Sequence, residues 1–206
     1  MVSIPHVYAS DLIAERIASS PKGSVFVTAD FLDVASPAAS NRTLLRLEER
    51  GMIRRVLFGV YVLPEQDDAG GFCTPNPALV AAGLARKLGW KIVPCGETAL
   101  YVTGLSAQPP RKWVYLCDGT YREYAFGEWE IKFKHTRDRS LMRMAPSTGK
   151  IIQTLRTIGQ EAVTPEILAQ LRTCLTDDEC ATMLRDTRLT VSWLRAVILQ
   201  ISEVSV

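Results

Sequence analysis

The spacing of apolar residues changes at Gly51, and that change constrains the fold of this chain more than any other feature. Before it, Leu44 and Leu47 stand three apart on one face of a helix over residues 38–50, with Arg42, Arg46 and Glu49 on another. After it, Ile53, Val56, Val60 and Val62 supply the apolar positions of two short strands turned at Leu57-Phe58-Gly59. Gly51 is the left-handed C-cap between the two regimes. Upstream, Ser10 caps a helix over residues 11–19 that Pro21-Lys22-Gly23 ends, and Thr28 caps a smaller one over residues 29–34. Residues 24–27 form a short strand or extended turn between them. Ser36-Pro37 marks the break before the third helix, whose first turn tolerates a proline. Three helices and a two-stranded wing make the winged form of the helix-turn-helix, in which the third helix enters the major groove of DNA.

A groove reader needs small or hydrogen-bonding side chains where that helix begins, and cations on its flanks for phosphates. Ser36, Ser40, Asn41, Arg42 and Thr43 stand at the helix entrance. Asn pairs bidentately with adenine and Arg with guanine. Arg46 follows one turn on, Arg54 and Arg55 open the wing, and Lys22 in the preceding turn adds a phosphate contact. The expected roles are base contact by Ser40, Asn41 and Arg42, and phosphate contact by Arg46, Arg54 and Arg55. A net charge of +2, from 24 Lys+Arg against 22 Asp+Glu, conceals this distribution. Residues 36–62 hold five arginines against Glu48 and Glu49, a local +3. The same residues also suit a solvated helix face or a protein-docking module, from which a DNA reader differs by its salt-dependent affinity for duplex.

The stretch EQDDAGGFCTPNP, residues 65–77, has the acidic, Gly-Gly and proline punctuation of a linker. It separates an expected winged domain over residues 1–64 from a second domain over residues 78–206. After it come a helix over 77–88, a short strand in WKIVPCG and a helix over 96–103. Strands follow over 112–117, 121–126 and 129–134, with Asp118-Gly119 and Gly127-Glu128 as turn signals. Helices near 148–157, 165–171, 177–187 and 190–201 close the chain. The expected class is α+β: a winged helix-turn-helix, then a mixed α/β domain with a small antiparallel sheet and a C-terminal helical tail. Residues 111–143 carry eight basic and five acidic side chains, a second basic stretch suited to DNA phosphates, to an acidic partner or merely to the wet face of a sheet.

No apolar stretch approaches the ~20 residues of a membrane span, and the N-terminus lacks the basic and apolar regions of a secretory signal. Five cysteines form no C-x-x-C pair, and His6 and His135 complete no zinc ligand set. These features predict a cytoplasmic protein with reduced thiols, no metal and no cofactor. Phosphate-cradling and nucleophile-elbow motifs are absent. One enzymatic arrangement is spelled out: Asp118 with Glu130-Ile131-Lys132, and Glu97 upstream, matches the D…E-x-K spacing of metal-dependent PD-(D/E)xK nucleases. Against it, Asp-Gly is the usual hairpin dipeptide, and an E-x-K arises readily on an alternating strand. Cys95-Gly96 at a helix start suits either a lowered-pKa thiol or a buried structural one. No enzyme is expected.

Two segments are more specific than a generic winged helix. Arg46-Leu47, Arg50-Gly51, Ile53, Arg55-Val56 and Gly59-Val60-Tyr61 form one signature; Gly104-Leu105-Ser106, Gln108 and Pro109 close a second. In that order they resemble the AbiE-type antitoxin family of abortive-infection, type IV toxin–antitoxin systems. The resemblance implies a DNA-binding antitoxin that represses its own operon at inverted repeats and counteracts a nucleotidyltransferase-like toxin encoded beside it. This chain departs from many relatives at the wing tip, with Leu57-Phe58 in place of a basic residue. An orphan winged-helix regulator without a toxin is the alternative.

Overall fold

The computed structural model describes residues 8–66, 68 and 70–203. Residues 1–7, which include His6 and most of the N-terminal stretch expected to carry no signal, lie outside the described residues. The architecture is α+β, and the chain divides into two units, Met1–Trp90 and Lys91–Val206.

The first unit runs α1 (Ala9–Ala18), β1 (Val25–Phe26), a 3₁₀ turn (Thr28–Phe31), α2 (Pro37–Glu49), β2 (Arg54–Leu57), β3 (Val60–Val62) and α3 (Pro77–Leu88). Ser10 lies inside α1 and not at its cap, which falls on Tyr8 and is made without a side-chain capping hydrogen bond. The expected second helix is only the 3₁₀ turn, held by the Val27 N–H donating to Asp30 Oδ2 at 2.9 Å. At α2 the local chemistry holds: Pro37 opens it, the Ala39 N–H donates to Ser36 Oγ at 3.3 Å, and Gly51 takes φ +72° just beyond its end. Ile13, Ile17, Phe31, Leu44, Leu47, Ile53 and Tyr61 pack into one core beneath α2 and the hairpin. The wing has three strands in the order β1-β3-β2, all antiparallel, with Val25 and Arg54 flanking Val62.

The expected boundary at residues 65–77 differs from the structural one because α3 packs on the winged unit. A Cβ on Gly83 would stand 2.7 Å from Val25 Cγ1, so the helix backbone lies directly on β1. Arg86 donates to Asp30 Oδ1 at 2.6 Å and to the Val25 carbonyl at 2.9 Å. Within the 65–77 segment Gln66 is bridged to Phe72, and Pro77 already opens α3. Its composition marks a turn in the chain and carries no information about where the next helix docks.

The second unit runs β4 (Ile92–Pro94), α4 (Glu97–Val102), β5 (Lys112–Cys117), β6 (Arg122–Phe126), β7 (Trp129–His135), α5 (Arg139–Arg143), α6 (Pro146–Ile158), a 3₁₀ turn (Gln160–Ala162), α7 (Pro165–Thr173), α8 (Asp177–Asp186) and α9 (Ser192–Glu203). Its sheet order is β4-β5-β7-β6, with β5 and β7 parallel. The expected antiparallel sheet is therefore mixed, and Asp118-Gly119 is not a hairpin turn. Asp118 Oδ1 accepts the Lys91 N–H at 2.9 Å, tying the end of β5 to β4, while the true hairpin joins β6 to β7 at Gly127, φ +55°. Trp129, Ile131 and Phe133 do share the inner side of β7 as its alternation predicts, with Ile131 and Phe133 fully buried. The helical tail builds its own core from Ile151, Ile152, Leu155, Leu171, Met183, Leu194 and Ile198. Among the described residues no helix is long and apolar enough to cross a membrane.

Candidate nucleic-acid interface

Helix α2 sorts its residues cleanly into two faces. Ser40, Thr43, Leu44 and Leu47 form the inner stripe, at spacings of three and four. Ser40 is fully buried, and the Thr43 hydroxyl donates to the Ala39 carbonyl at 3.0 Å. Neither can meet a base edge from there, so the expected contacts by Ser40 and Thr43 are withdrawn. The outer face carries Ala38, Ala39, Asn41, Arg42, Arg46, Glu49 and Arg50, all exposed. Two alanines ahead of Asn41 and Arg42 keep the helix entrance low, so that a groove floor can approach the longer side chains. Ser36 is exposed too, with its hydroxyl engaged as the cap. Arg42, Arg46 and Arg50 make no ion pair among the described residues.

The two wing arginines differ from that row and from each other. Arg55 is paired with Glu48 at 2.5 Å and lies 5.5 Å over the Tyr61 ring, and the Glu48 hydrogen bond raises the guanidinium pKa further. Arg54 stacks 4.1 Å over Phe72 and makes no ion pair among the described residues. The Arg54–Val62 register, together with the Gly23 N–H bonded to the Leu63 carbonyl, puts both Arg54 and the exposed Lys22 at the end of the sheet away from the wing turn. The structure does not bring Lys22 to that turn.

A cation does stand there, and it comes from α3. Lys87 Nζ donates to the Phe58 carbonyl and sits 4.9 Å over the Phe58 ring, which is 83% exposed at the wing tip. Leu57-Phe58 thus replaces a local basic residue with an aromatic that holds a distant one. With the partners 29 positions apart, no local spacing in the sequence could have announced the pair.

The nuclease-like constellation is not assembled. The parallel register sets Lys112 opposite Glu130 and Cys117 opposite His135, so Asp118 lies at the far end of the strand pair, about 20 Å of strand rise from Glu130. Glu130 pairs with Lys112 at 2.9 Å and Lys132 with Glu123 at 2.7 Å. These pairs also neutralise part of the basic stretch over residues 111–143. Among the described residues no three His, Cys, Asp or Glu side chains are grouped to hold a metal. Burial pushes the Cys95 thiol pKa up, the opposite of an activated nucleophile. Tyr121 is exposed, with Lys132 Nζ 5.0 Å over its ring, while Tyr124 packs edge-on against Phe133.

The profile of a family described as a family of unknown function (DUF6088) matches residues 12–183. No curated protein matches the chain. Among solved structures, the chain is similar to the RV2827C protein from Mycobacterium tuberculosis, at 12% identity over 95% of this chain and 76% of that one, with a TM-score of 0.39.

Proposed function

We propose, from the premise that the chain belongs to the DUF6088 family, that it is a DNA-binding repressor of its own operon and an antitoxin of the AbiE type. The observation that carries the DNA-binding part is the division of α2: Asn41, Arg42 and Arg46 project from the exposed face of a capped helix whose other face is locked into the core. A rigid helix bearing an amide, then guanidinium groups that make no ion pair among the described residues, suits bidentate contact with base edges and neighbouring phosphates. Arg54 and the Lys87–Phe58 wing tip supply flanking phosphate contacts. The antitoxin part rests on the two signatures around Arg46–Tyr61 and Gly104–Pro109, and its partner is a nucleotidyltransferase-like toxin encoded alongside. Neither part needs a cofactor or catalysis. The protein works in the cytoplasm, where its five free cysteines stay reduced.

A mobility-shift titration against the gene's own upstream region tests the repressor. The expected result is a sequence-specific shift at low salt that weakens steeply as salt rises. No shift at low salt overturns the reading. Co-expression with the product of the neighbouring reading frame tests the antitoxin separately: growth arrest by that product, relieved by this chain, is expected, and arrest without relief removes the antitoxin claim while leaving the repressor standing.

A further inference from the structure

We infer that the cleft walled by α5, α6 and the α8–α9 connection is a docking surface for an acidic, leucine-bearing segment of a protein partner. The inference is independent of DNA reading by α2. The cleft encloses about 680 Å³, and Arg143, Arg156, Arg185, Arg188, Leu189 and Val191 dominate its lining. Its lining holds four guanidinium groups and one carboxylate, Asp186, which is already engaged by the Ala145 N–H at 2.9 Å. Of the four cations, Arg156 pairs with Asp138 at 3.3 Å and Arg185 donates to the Thr182 hydroxyl at 2.9 Å. Arg143 and Arg188 are exposed and make no ion pair among the described residues. Arg143 is the last cation of the basic stretch over residues 111–143, so part of that stretch finds its use here.

The apolar members identify the class of occupant. Leu189 is 99% exposed, the most exposed large apolar side chain of the described residues, and Val191 is 55% exposed. The connection that displays them is bolted down. Thr187 is fully buried and donates to the Met183 carbonyl at 2.7 Å, while Arg195 donates to Thr187 Oγ1 at 3.1 Å and to the Leu184 carbonyl at 2.7 Å. A leucine held out in water by a fixed loop, beside two unpaired arginines, presents apolar and cationic groups together. A phosphodiester chain would use only the cations. A protein segment alternating carboxylates with leucines uses both, its acids meeting Arg143 and Arg188 and its leucine covering Leu189.

Fluorescence anisotropy on the full chain tests this with three labelled synthetic peptides: a helical one of glutamates and leucines, the same peptide with every leucine replaced by serine, and the same with every glutamate replaced by glutamine. The expected result is binding of the first at physiological salt, with at least tenfold weaker binding of the other two. The Arg143→Ala/Arg188→Ala double variant and the Leu189→Ser variant are each expected to lose at least fivefold in affinity, with unchanged melting curves and an unchanged mobility shift on DNA. Because Leu189 is 99% exposed, its variant leaves the core untouched and decides the matter even if the double variant melts early. Equal binding of the serine peptide, or displacement of the first peptide by inorganic triphosphate or a random duplex, would make the cleft a general polyanion surface and overturn the proposal. No binding of the first peptide, or undiminished binding by Leu189→Ser, overturns it as well.

Discussion

Arg42, Arg54 and Arg55 count equally toward net charge, yet their surroundings give them different tasks. Arg42 lies on the exposed face of α2 and makes no ion pair among the described residues, Arg54 leans on Phe72, and Arg55 is held by Glu48. Replacing Arg42 by Ala is expected to cost ~1–3 kcal/mol of operator binding and to relax base preference at one position. Arg54→Ala is expected to weaken all sequences alike and to reduce the salt slope by about 1. Both are read from shift titrations on operator and scrambled duplexes across salt concentrations, and a uniform loss from Arg42→Ala would remove it from base reading. Ser40 provides the complementary case, because its buried hydroxyl has no hydrogen-bond partner among the described residues. Ser40→Ala removes that unpaired group, so DNA affinity should be unchanged and thermal stability equal or higher by up to about 1 kcal/mol; a specific loss of affinity would return Ser40 to the interface. The distinction between Ser40 and Asn41 was legible in principle. Stepping back four residues from Leu44 and Leu47 lands on Ser40 and Thr43, but their polarity hid the continuation of the apolar stripe.

Whole elements show where local signals suffice and where they fail. The start of α2, its glycine stop and both limits of α3 follow from caps, Pro and Gly, because those devices act within a turn of the chain. Strand order does not, since Asp118-Gly119 reads as a hairpin until the carboxylate is seen holding the Lys91 N–H and β7 is seen occupying the place beside β5. The wing-tip cation is of the same kind, a long-range pairing of Lys87 with Phe58. A local device with a pH signature caps α5: Asp138 accepts from the Ser140 hydroxyl, from the Leu141 N–H at 3.0 Å and from Arg156 at 3.3 Å. The Ser140 hydrogen bond foremost, then the backbone N–H and Arg156, hold its carboxyl below the usual carboxylate pKa. A depressed folded-state pKa stabilises the fold above the unfolded value of about 3.9, and that contribution fades as pH falls through the folded one. Asp138→Asn should therefore melt below the parent at neutral pH, with the gap narrowing once pH drops under about 4. A gap independent of pH would assign the effect to lost packing.

At the scale of the whole molecule, the division between units decides what can fold alone. The 65–77 segment looks like a domain boundary, and a fragment ending at Pro64 would retain the three-stranded wing, α1 and α2. It would lose α3, whose Val80, Ala81 and Leu84 are buried in the first unit and whose Arg86 ties Asp30 to the Val25 carbonyl. Burying Val80 and Leu84 alone contributes about 3–6 kcal/mol. That is comparable with the whole stability of a small domain, roughly 5–15 kcal/mol. Removing α3 also uncovers Val25 and Val60, the strand residues nearest Gly83. A fragment of residues 1–90 is accordingly expected to unfold in one cooperative thermal transition and to bind duplex DNA. A fragment of residues 1–64 is expected to show a broad, uncooperative melt and no specific shift. Circular dichroism melts and shift titrations on the two fragments compare them directly. Cooperative unfolding of residues 1–64 at the same midpoint would show that α3 only decorates the winged unit, and would move the boundary back to the loop whose composition first suggested it.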